Sequence, residues 1–178
     1  MTIEVVPYDP EWKNWFCEIK KSVLKEVQDI VVDIVHVGST SIVGMSAKPI
    51  IDVDIVVDNW NDFPELVKRL DSLGYKHVGD LGIAQREAFK CILATKYSHH
   101  LYVIQKDSTA YRNHTLLKKH LQENPKDFRR YSDLKIKLSK TAKKREDYWK
   151  LKTELILEFL EAEGLSKEEL DKVRTENI

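Results

Sequence analysis

Two aspartates set one residue apart interrupt an otherwise apolar run, Pro49-Ile50-Ile51-Asp52-Val53-Asp54-Ile55-Val56-Val57. In an extended strand residues i and i+2 share a face, so Asp52 and Asp54 project together, opposite Val53 and Ile55. Two carboxylates on one face of a buried strand repel each other and resist desolvation unless a cation joins them. Mg²⁺ suits such a pair, because it takes oxygen ligands and combines one or two protein carboxylates with substrate phosphates. Upstream, Val37-Gly38-Ser39-Thr40-Ser41 closes a second apolar run. Gly38 allows the backbone to approach a ligand closely. Successive amides in such a turn, with the hydroxyls of Ser39, Thr40 or Ser41, can point at phosphate oxygens. If the two runs are neighbouring strands, loop and carboxylates meet at one end of a sheet and together could hold a triphosphate and its metal. Alone, a Gly-Ser turn is mostly just a turn, and Asp-x-Asp often marks an edge strand. The apolar residues on both sides of Asp52 and Asp54 argue against a solvent-facing edge.

Further side chains could complete such a site. Lys48 is near it in sequence and either contacts phosphate or pairs with a nearby acid. Arg86 follows the glycine-bearing loop Gly79–Gln85 and offers a planar fork for bidentate phosphate contacts. His100 and Tyr102 alternate with Leu101 and Val103, so they share one face of a later strand. On the Asp52/Asp54 face, His100 could bond a carboxylate, bind phosphate, replace a metal ligand or accept a proton near neutral pH. A purely structural hydrogen bond is the alternative. His99 reads as exposed in the loop before that strand. His114 and His120 fall on a helix at a separation that does not stack them, which argues against a zinc site.

These residues need a frame. The turn Pro7-Tyr8-Asp9-Pro10 precedes a helix from about Glu11 to Gln28, with Trp12, Trp15, Phe16, Ile19, Val23, Leu24 and Val27 at helical spacing. The Trp12/Trp15/Phe16 cluster reads as helix core and not as a base-stacking platform. Ile30–Val37 and Pro49–Val57 read as strands from their β-branched content. Asp62 can cap a helix over Phe63–Leu73, which Gly74 ends. Tyr75–Val78 is short and extended, and Ala88–Thr95 with Leu101–Gln105 forms a strand pair. Tyr111–Gln122, Lys126–Lys140 and Glu146–Glu163 have helical periodicity, with Pro125 suited to a first helical turn. Ser166 with Glu169 makes a capping box for a last short helix. The sheet core thus spans about 30–106 and a helical portion about 111–178, within one expected domain over 1–178. Tyr131, Leu134, Leu138, Tyr148, Trp149, Leu155 and Phe159 would bury the helical portion against the sheet, or against a second subunit in a homodimer.

The chain has 178 residues and balances 29 basic against 29 acidic side chains, so a global field for nucleic acid is absent. The basic residues of Lys135–Lys144 and Arg145 read as solvated helix faces. Cys17 and Cys91 lie in no metal-ligand spacing and read as small core hydrophobes in a reducing compartment. The opening Met1-Thr2-Ile3-Glu4 has no basic segment leading into an apolar one, and no run approaches the ~20 apolar residues that span a bilayer. The expected location is the cytoplasm, without a membrane partner.

Val37-Gly38-Ser39 followed by Asp52-Val53-Asp54-Ile55 resembles the signature of the polymerase-beta-like nucleotidyltransferase superfamily. More closely, His36-Val37-Gly38-Ser39-Thr40-Ser41 with Ala47-Lys48-Pro49-Ile50-Ile51-Asp52-Val53-Asp54 resembles the GrpB family. The resemblance extends to Tyr8-Asp9-Pro10-x-Trp12, Gly74-Tyr75, Arg86, His100-Leu101-x-Val103 and Asn124-Pro125 through Leu134-Lys135. It implies an α+β fold, a nucleotidyltransferase-like mixed β-sheet flanked by helices, with a site built from Gly38, Ser39, Asp52 and Asp54. Active members of the superfamily place a third carboxylate on a later strand, where this sequence offers His100 and Tyr102. The implied function is Mg²⁺-dependent transfer of a nucleoside monophosphate from a nucleoside triphosphate to an acceptor. Asp52 and Asp54 would hold the metal, His100 would join them in catalysis, and Gly38, Ser39, Thr40, Lys48 and Arg86 would bind nucleotide and phosphate. The alternative is a non-catalytic module on the same fold that binds a nucleotide, another phosphorylated small molecule or a protein.

Overall fold

The computed structural model describes residues 4–141 and 145–176, and for residues 145–148 the backbone alone. The expectations for Met1–Ile3, for positions 142–144 of the basic run and for the Arg145 and Tyr148 side chains fall outside the described residues. The chain runs α1 (Glu11–Val27), β1 (Asp33–Val37), a 3₁₀ turn (Ser39–Ser41), β2 (Ile51–Val57) and α2 (Phe63–Ser72). It continues through β3 (Tyr75–Gly79), β4 (Arg86–Cys91) and β5 (His99–Gln105). Four helices follow: α3 (Thr109–Glu123), α4 (Pro125–Thr141), α5 (Arg145–Ala162) and α6 (Lys167–Glu176).

The five strands form one mixed sheet in the order β1-β2-β5-β4-β3. Strands β2 and β5 pair in parallel at its centre, and the other pairings are antiparallel. Strand periodicity divides the residues between two faces. On one, Ile51, Val53, Ile55, Val57, Leu101 and Val103 pack with Trp12, Ile19, Val23 and Val27 of α1 and Leu66 and Leu70 of α2. The spacing of those helical residues puts one apolar stripe of each helix on the sheet. On the other face Val56 and Ile104 meet Ala110, with Val35 and Tyr111 beside them, so the start of α3 lies over the sheet. The remaining helices pack mainly on α3 and on the loop after the 3₁₀ turn, where Ile42 and Met45 contact Leu121, Tyr131 and Phe159.

Several details differ from the sequence reading. Strand β1 starts at Asp33 and not at Ile30, because a turn closes α1 with Ile30 N–H donating to the Val27 carbonyl at 3.0 Å. Strand β4 stops at Cys91, and Ile92 and Leu93 are exposed beyond it. Cys17 lies exposed on the outer side of α1 and is no core residue, whereas Cys91 is half-buried and packs against the core. Asp62 precedes α2 without a side-chain cap. The Ser166/Glu169 capping box does form, with both reciprocal bonds made. Trp149, expected to help bury the helical portion, is exposed. His99 belongs to β5 and bonds the Tyr75 hydroxyl at 2.7 Å, so it is not a loop residue. No described helix is long and apolar enough to cross a membrane.

Candidate functional site

The register of the two central strands builds the site. Asp52 pairs with His100 and Asp54 with Tyr102 across β2 and β5, while Val37 pairs with Asp52 across β1 and β2. All these side chains therefore lie on the α3 face. There the loop after β1 turns at Gly38, whose φ of 69° and ψ of −175° fall in a region that side-chain-bearing residues essentially do not adopt. A β-carbon on Gly38 would overlap the Asp52 carboxylate and sit 3.1 Å from Asp52 Cβ and Cγ. Glycine is thus required twice: for the backbone conformation and for the close approach of the acid to the turn.

Each carboxylate is held by one imidazole. His100 Nδ1–H donates to Asp52 Oδ1 at 2.8 Å. His114 Nδ1–H, from α3, donates to Asp54 Oδ2 at 2.6 Å. Asp54 is fully buried, and its other oxygen, Oδ1, has no hydrogen-bond partner. Burial alone would push His114 toward the neutral form. The charge and hydrogen bond of Asp54 outweigh it, and the imidazole pKa stays above its ordinary value. In both histidines bonding through Nδ1 fixes the ring and leaves Nε2 for another partner.

The third group on this face is Tyr102, whose hydroxyl pKa is pushed up to about 12 by burial and then by Asp52. The Arg86 guanidinium stacks over the Tyr102 ring at 4.4 Å, and its Nε is buried without a hydrogen-bond partner. Arg86 stands at the start of β4 on this same side of the sheet. On the turn, Thr40 is buried and its hydroxyl donates to the Ile50 carbonyl at 3.2 Å, while the Ser41 hydroxyl donates to the Gly38 carbonyl at 2.7 Å. Those two hydroxyls brace the loop. His36 stacks on Phe16 at 4.8 Å and lies 3.0 Å from Thr40 Oγ1. Burial, then the nearby Lys118 ammonium, lowers the His36 pKa to about 4, so it is neutral at pH 7.

Gly38, Asp52, Asp54, His100 and Arg86 are thus gathered at one face, Ser39 follows Gly38 in the turn, and Lys48 is half-buried in the loop leading to β2. Three basic residues escaped the sequence reading. His114 is bonded to Asp54, Lys118 donates to the His36 carbonyl at 2.9 Å, and Lys135 is buried although it was expected on a solvated face. The available cue was spacing: Ala110, His114 and Lys118 follow at i, i+4 and i+8 on α3, and so share the side that faces the sheet.

The donor set suits Mg²⁺. Asp52 and Asp54 each commit one oxygen to an imidazole, and the buried Asp54 Oδ1, without a hydrogen-bond partner, is the kind of oxygen such a cation takes. Among the described residues no three His, Cys, Asp or Glu side chains converge into an all-protein metal cage. Mg²⁺ rarely uses one, since phosphates and water complete its shell.

A Gly-Ser turn beside paired aspartates, on a helix-flanked mixed sheet, defines a nucleotidyltransferase-like α+β protein. Within that class the chain belongs to the GrpB family, matching the model for "GrpB protein" over residues 2–162. It is 31% identical over 137 residues to the UPF0157 protein YqkA of Bacillus subtilis, covering 77% of this chain and 40% of that protein. The chain therefore spans well under half the length of that relative. The crystal structure of the conserved protein GrpB from Enterococcus faecalis superposes with a TM-score of 0.76 at 27% identity, covering 90% of this chain and 99% of that one. A chain of the GLD-2/RNP-8 complex superposes with a TM-score of 0.55 at 16% identity, over 85% of this chain and 59% of that one. At that identity the likeness is one of fold.

Proposed function

We propose that this protein transfers a nucleoside monophosphate from a Mg²⁺-bound nucleoside triphosphate to an acceptor hydroxyl. One observation carries the reading: two carboxylates share one face beside the Gly38 turn, and the buried Asp54 keeps an oxygen with no protein partner. A buried, unpaired carboxylate oxygen is costly, and a divalent cation removes that cost.

Asp52 and Asp54 would hold the metal, which when bound neutralises polyphosphate charge and aligns the α-phosphorus for attack. The Gly38-Ser39 turn and the Arg86 guanidinium would bind phosphate oxygens. His100 is half-exposed at the mouth, with Nδ1–H on Asp52, so its Nε2 can accept the proton of the acceptor hydroxyl. Asp52 then stabilises the imidazolium that forms. His114 orients Asp54 from behind. The acceptor oxygen bonds to the α-phosphorus, the bond to the β-phosphate oxygen breaks, and pyrophosphate leaves.

A second reading has its own support. On β5 the face that could carry a third acid presents His100 and Tyr102. A module that binds a nucleotide or phosphorylated metabolite without turning it over would need no third acid. Thermal shift and pyrophosphate release separate the two. Nucleoside triphosphate with Mg²⁺ or Mn²⁺ should raise the melting temperature more than either alone, by up to ~2.7 kcal/mol of stability at a hundredfold excess over Kd. The double variant Asp52→Asn/Asp54→Asn should stay folded, since Asn keeps the oxygen that accepts from His114, and should lose the metal-dependent part. A shift without pyrophosphate release favours the binding module. A shift unchanged in the double variant removes the site from consideration.

A further inference from the structure

Arg86 differs from the other basic groups on the site face. His114 donates to Asp54, His100 to Asp52 and Lys118 to the His36 carbonyl. Arg86 is half-buried, yet among the described residues no hydrogen bond or ion pair engages its guanidinium, and its Nε is buried without a partner. What holds it is Tyr102, over whose ring the guanidinium lies at 4.4 Å from the centroid. Arg86 pairs with Ile104 across β4 and β5, so its side chain reaches back along the sheet to the level of Tyr102 and Asp54. The stack fixes the plane of the fork and leaves its hydrogen-bonding capacity unused. A desolvated donor with nothing to bond is costly, and packing alone does not call for one.

The order of the strands indicates which molecule meets the fork. The Gly38 turn approaches Asp52 from the β1 side, whereas β5 and then β4 lie on the other side of β2. Strands ~4.8 Å apart put β4 ~10 Å from β2, across Tyr102. In a displacement at phosphorus the attacking and leaving oxygens lie roughly in line. With the pyrophosphate end at the Gly38-Ser39 turn, the acceptor comes from the β5 side. There the His100 ring lies 6.3 Å from the Tyr102 ring, so His100 and the Arg86 fork border one aromatic floor, within the span of one small molecule.

We propose that Arg86 and Tyr102 form an acceptor subsite, which takes a small molecule bearing a hydroxyl and, a few bonds away, a carboxylate or phosphate. This rests on the transfer reading above and deepens it: the oxygens that Arg86 binds belong to the acceptor and not to the triphosphate. The planar fork meets two oxygens of such a group at once. The hydroxyl faces His100. Its oxygen bonds to the α-phosphorus, its proton passes to His100 Nε2, and pyrophosphate leaves with the electron pair of the broken bond. The charge fits the strand as well. Where an acid could stand on β5, the sheet presents Tyr102 beneath a cation, and an anionic acceptor brings the negative group with it. A neutral polyol of the same size leaves the fork unpaired, and a site built to bond a polar group discriminates strongly against an analogue without it.

Three probes on one three-carbon skeleton test this: glycerol, glycerate and glycerol 3-phosphate. Calorimetry on the full chain measures each alone and with Mg²⁺ and a non-hydrolysable ATP analogue, at equal ionic strength. Pyrophosphate release from ATP gives kcat and KM. Wild type should bind glycerate or glycerol 3-phosphate at least tenfold tighter than glycerol. Arg86→Met should bring the three within threefold of one another, while its affinity for the ATP analogue changes less than threefold. Arg86→Lys restores the charge without the fork and should recover part of the preference, which guards against a methionine variant that misfolds. Glycerate ahead of glycerol 3-phosphate assigns a carboxylate to the acceptor, and the reverse assigns a phosphate. Anions bound no tighter than glycerol, a preference that survives Arg86→Met, or a loss that falls on the ATP analogue instead, overturns the subsite. The transfer reading fails separately. Arg86-dependent anion binding without pyrophosphate release leaves the subsite standing on a binding module. Pyrophosphate release that treats glycerol and the two anions alike keeps the transfer and removes the subsite.

Discussion

Replacing Gly38 with alanine should disable the turn and the acid beside it together. The backbone at Gly38 has φ 69° and ψ −175°, and holding a side-chain-bearing residue there costs ~1–3 kcal/mol. The new methyl would also overlap the Asp52 carboxylate, with Asp52 Cβ and Cγ at 3.1 Å, so Asp52 has to swing away from His100. That bond involves a half-exposed imidazole, so its loss adds no more than about 1 kcal/mol. The sum, about 1–4 kcal/mol, corresponds to a fall in melting temperature of roughly 2–16 °C for a chain of this size. Urea unfolding of wild type, Gly38→Ala, Asp52→Ala and the double variant measures it. In the Asp52→Ala background the carboxylate is gone, so Gly38→Ala should cost only its backbone part, and the cycle should show a coupling of ~1 kcal/mol. A Gly38→Ala protein within about 0.5 kcal/mol of wild type, or costs that simply add, would refute the close-approach argument.

Two half-buried histidines, His114 and His36, give predictions of opposite sign. His114→Ala leaves Asp54 buried without its partner and should cost ~3–5 kcal/mol in urea, whereas Asp54→Asn, which keeps the bond, should cost less. Because the His114 pKa is raised in the fold, its contribution is complete below the unfolded value of 6.5 and fades as pH rises through the folded pKa. The gap between wild type and His114→Gln should therefore narrow in alkaline titration, and a widening gap would contradict the assignment. His36 behaves inversely. Its folded pKa of about 4 lies below 6.5, so the unfolded chain takes up the proton first and stability declines as pH falls from 6.5 to about 4. His36→Gln, which can still reach Thr40, should flatten that decline, and an unchanged slope would show that other groups cause it.

How far the sequence could reach depended on whether a residue's partners are fixed by local geometry. Asp52 and Asp54 share a face because a strand alternates every residue, and Gly38 is needed at the turn, so both were legible from spacing. His100 followed from the same alternation on β5. His114 did not, since its contact with Asp54 depends on how α3 crosses the sheet, 60 residues away in sequence. Lys135 was misjudged for the same reason: charge composition suggests solvent, and only the packing of α4 puts it inside, with its ammonium over the Tyr131 ring. Thr40 looked like a phosphate donor beside Ser39, yet its hydroxyl is committed to the Ile50 carbonyl. Cys17 had the right helical neighbourhood for burial but points away from the α1 stripe.

The parallel pairing of β2 with β5 also matters while the chain is being synthesised. Strand β2 is buried almost throughout, yet His100, which pairs with Asp52 on its partner strand, comes 48 residues later. Until β5 has left the ribosome, β2 can pair with β1 alone, and its other edge carries open backbone donors and acceptors on an apolar strand. Such an edge is a template for pairing with another nascent chain. Closing so long a loop is slow compared with forming the β1–β2 and β3–β4 hairpin-like pairs. Those local pairs form first, and insertion of β5 between β2 and β4 is the event that completes the sheet. Because His100 arrives on that strand, the carboxylate site and the protection of β2 from aggregation are acquired in the same step.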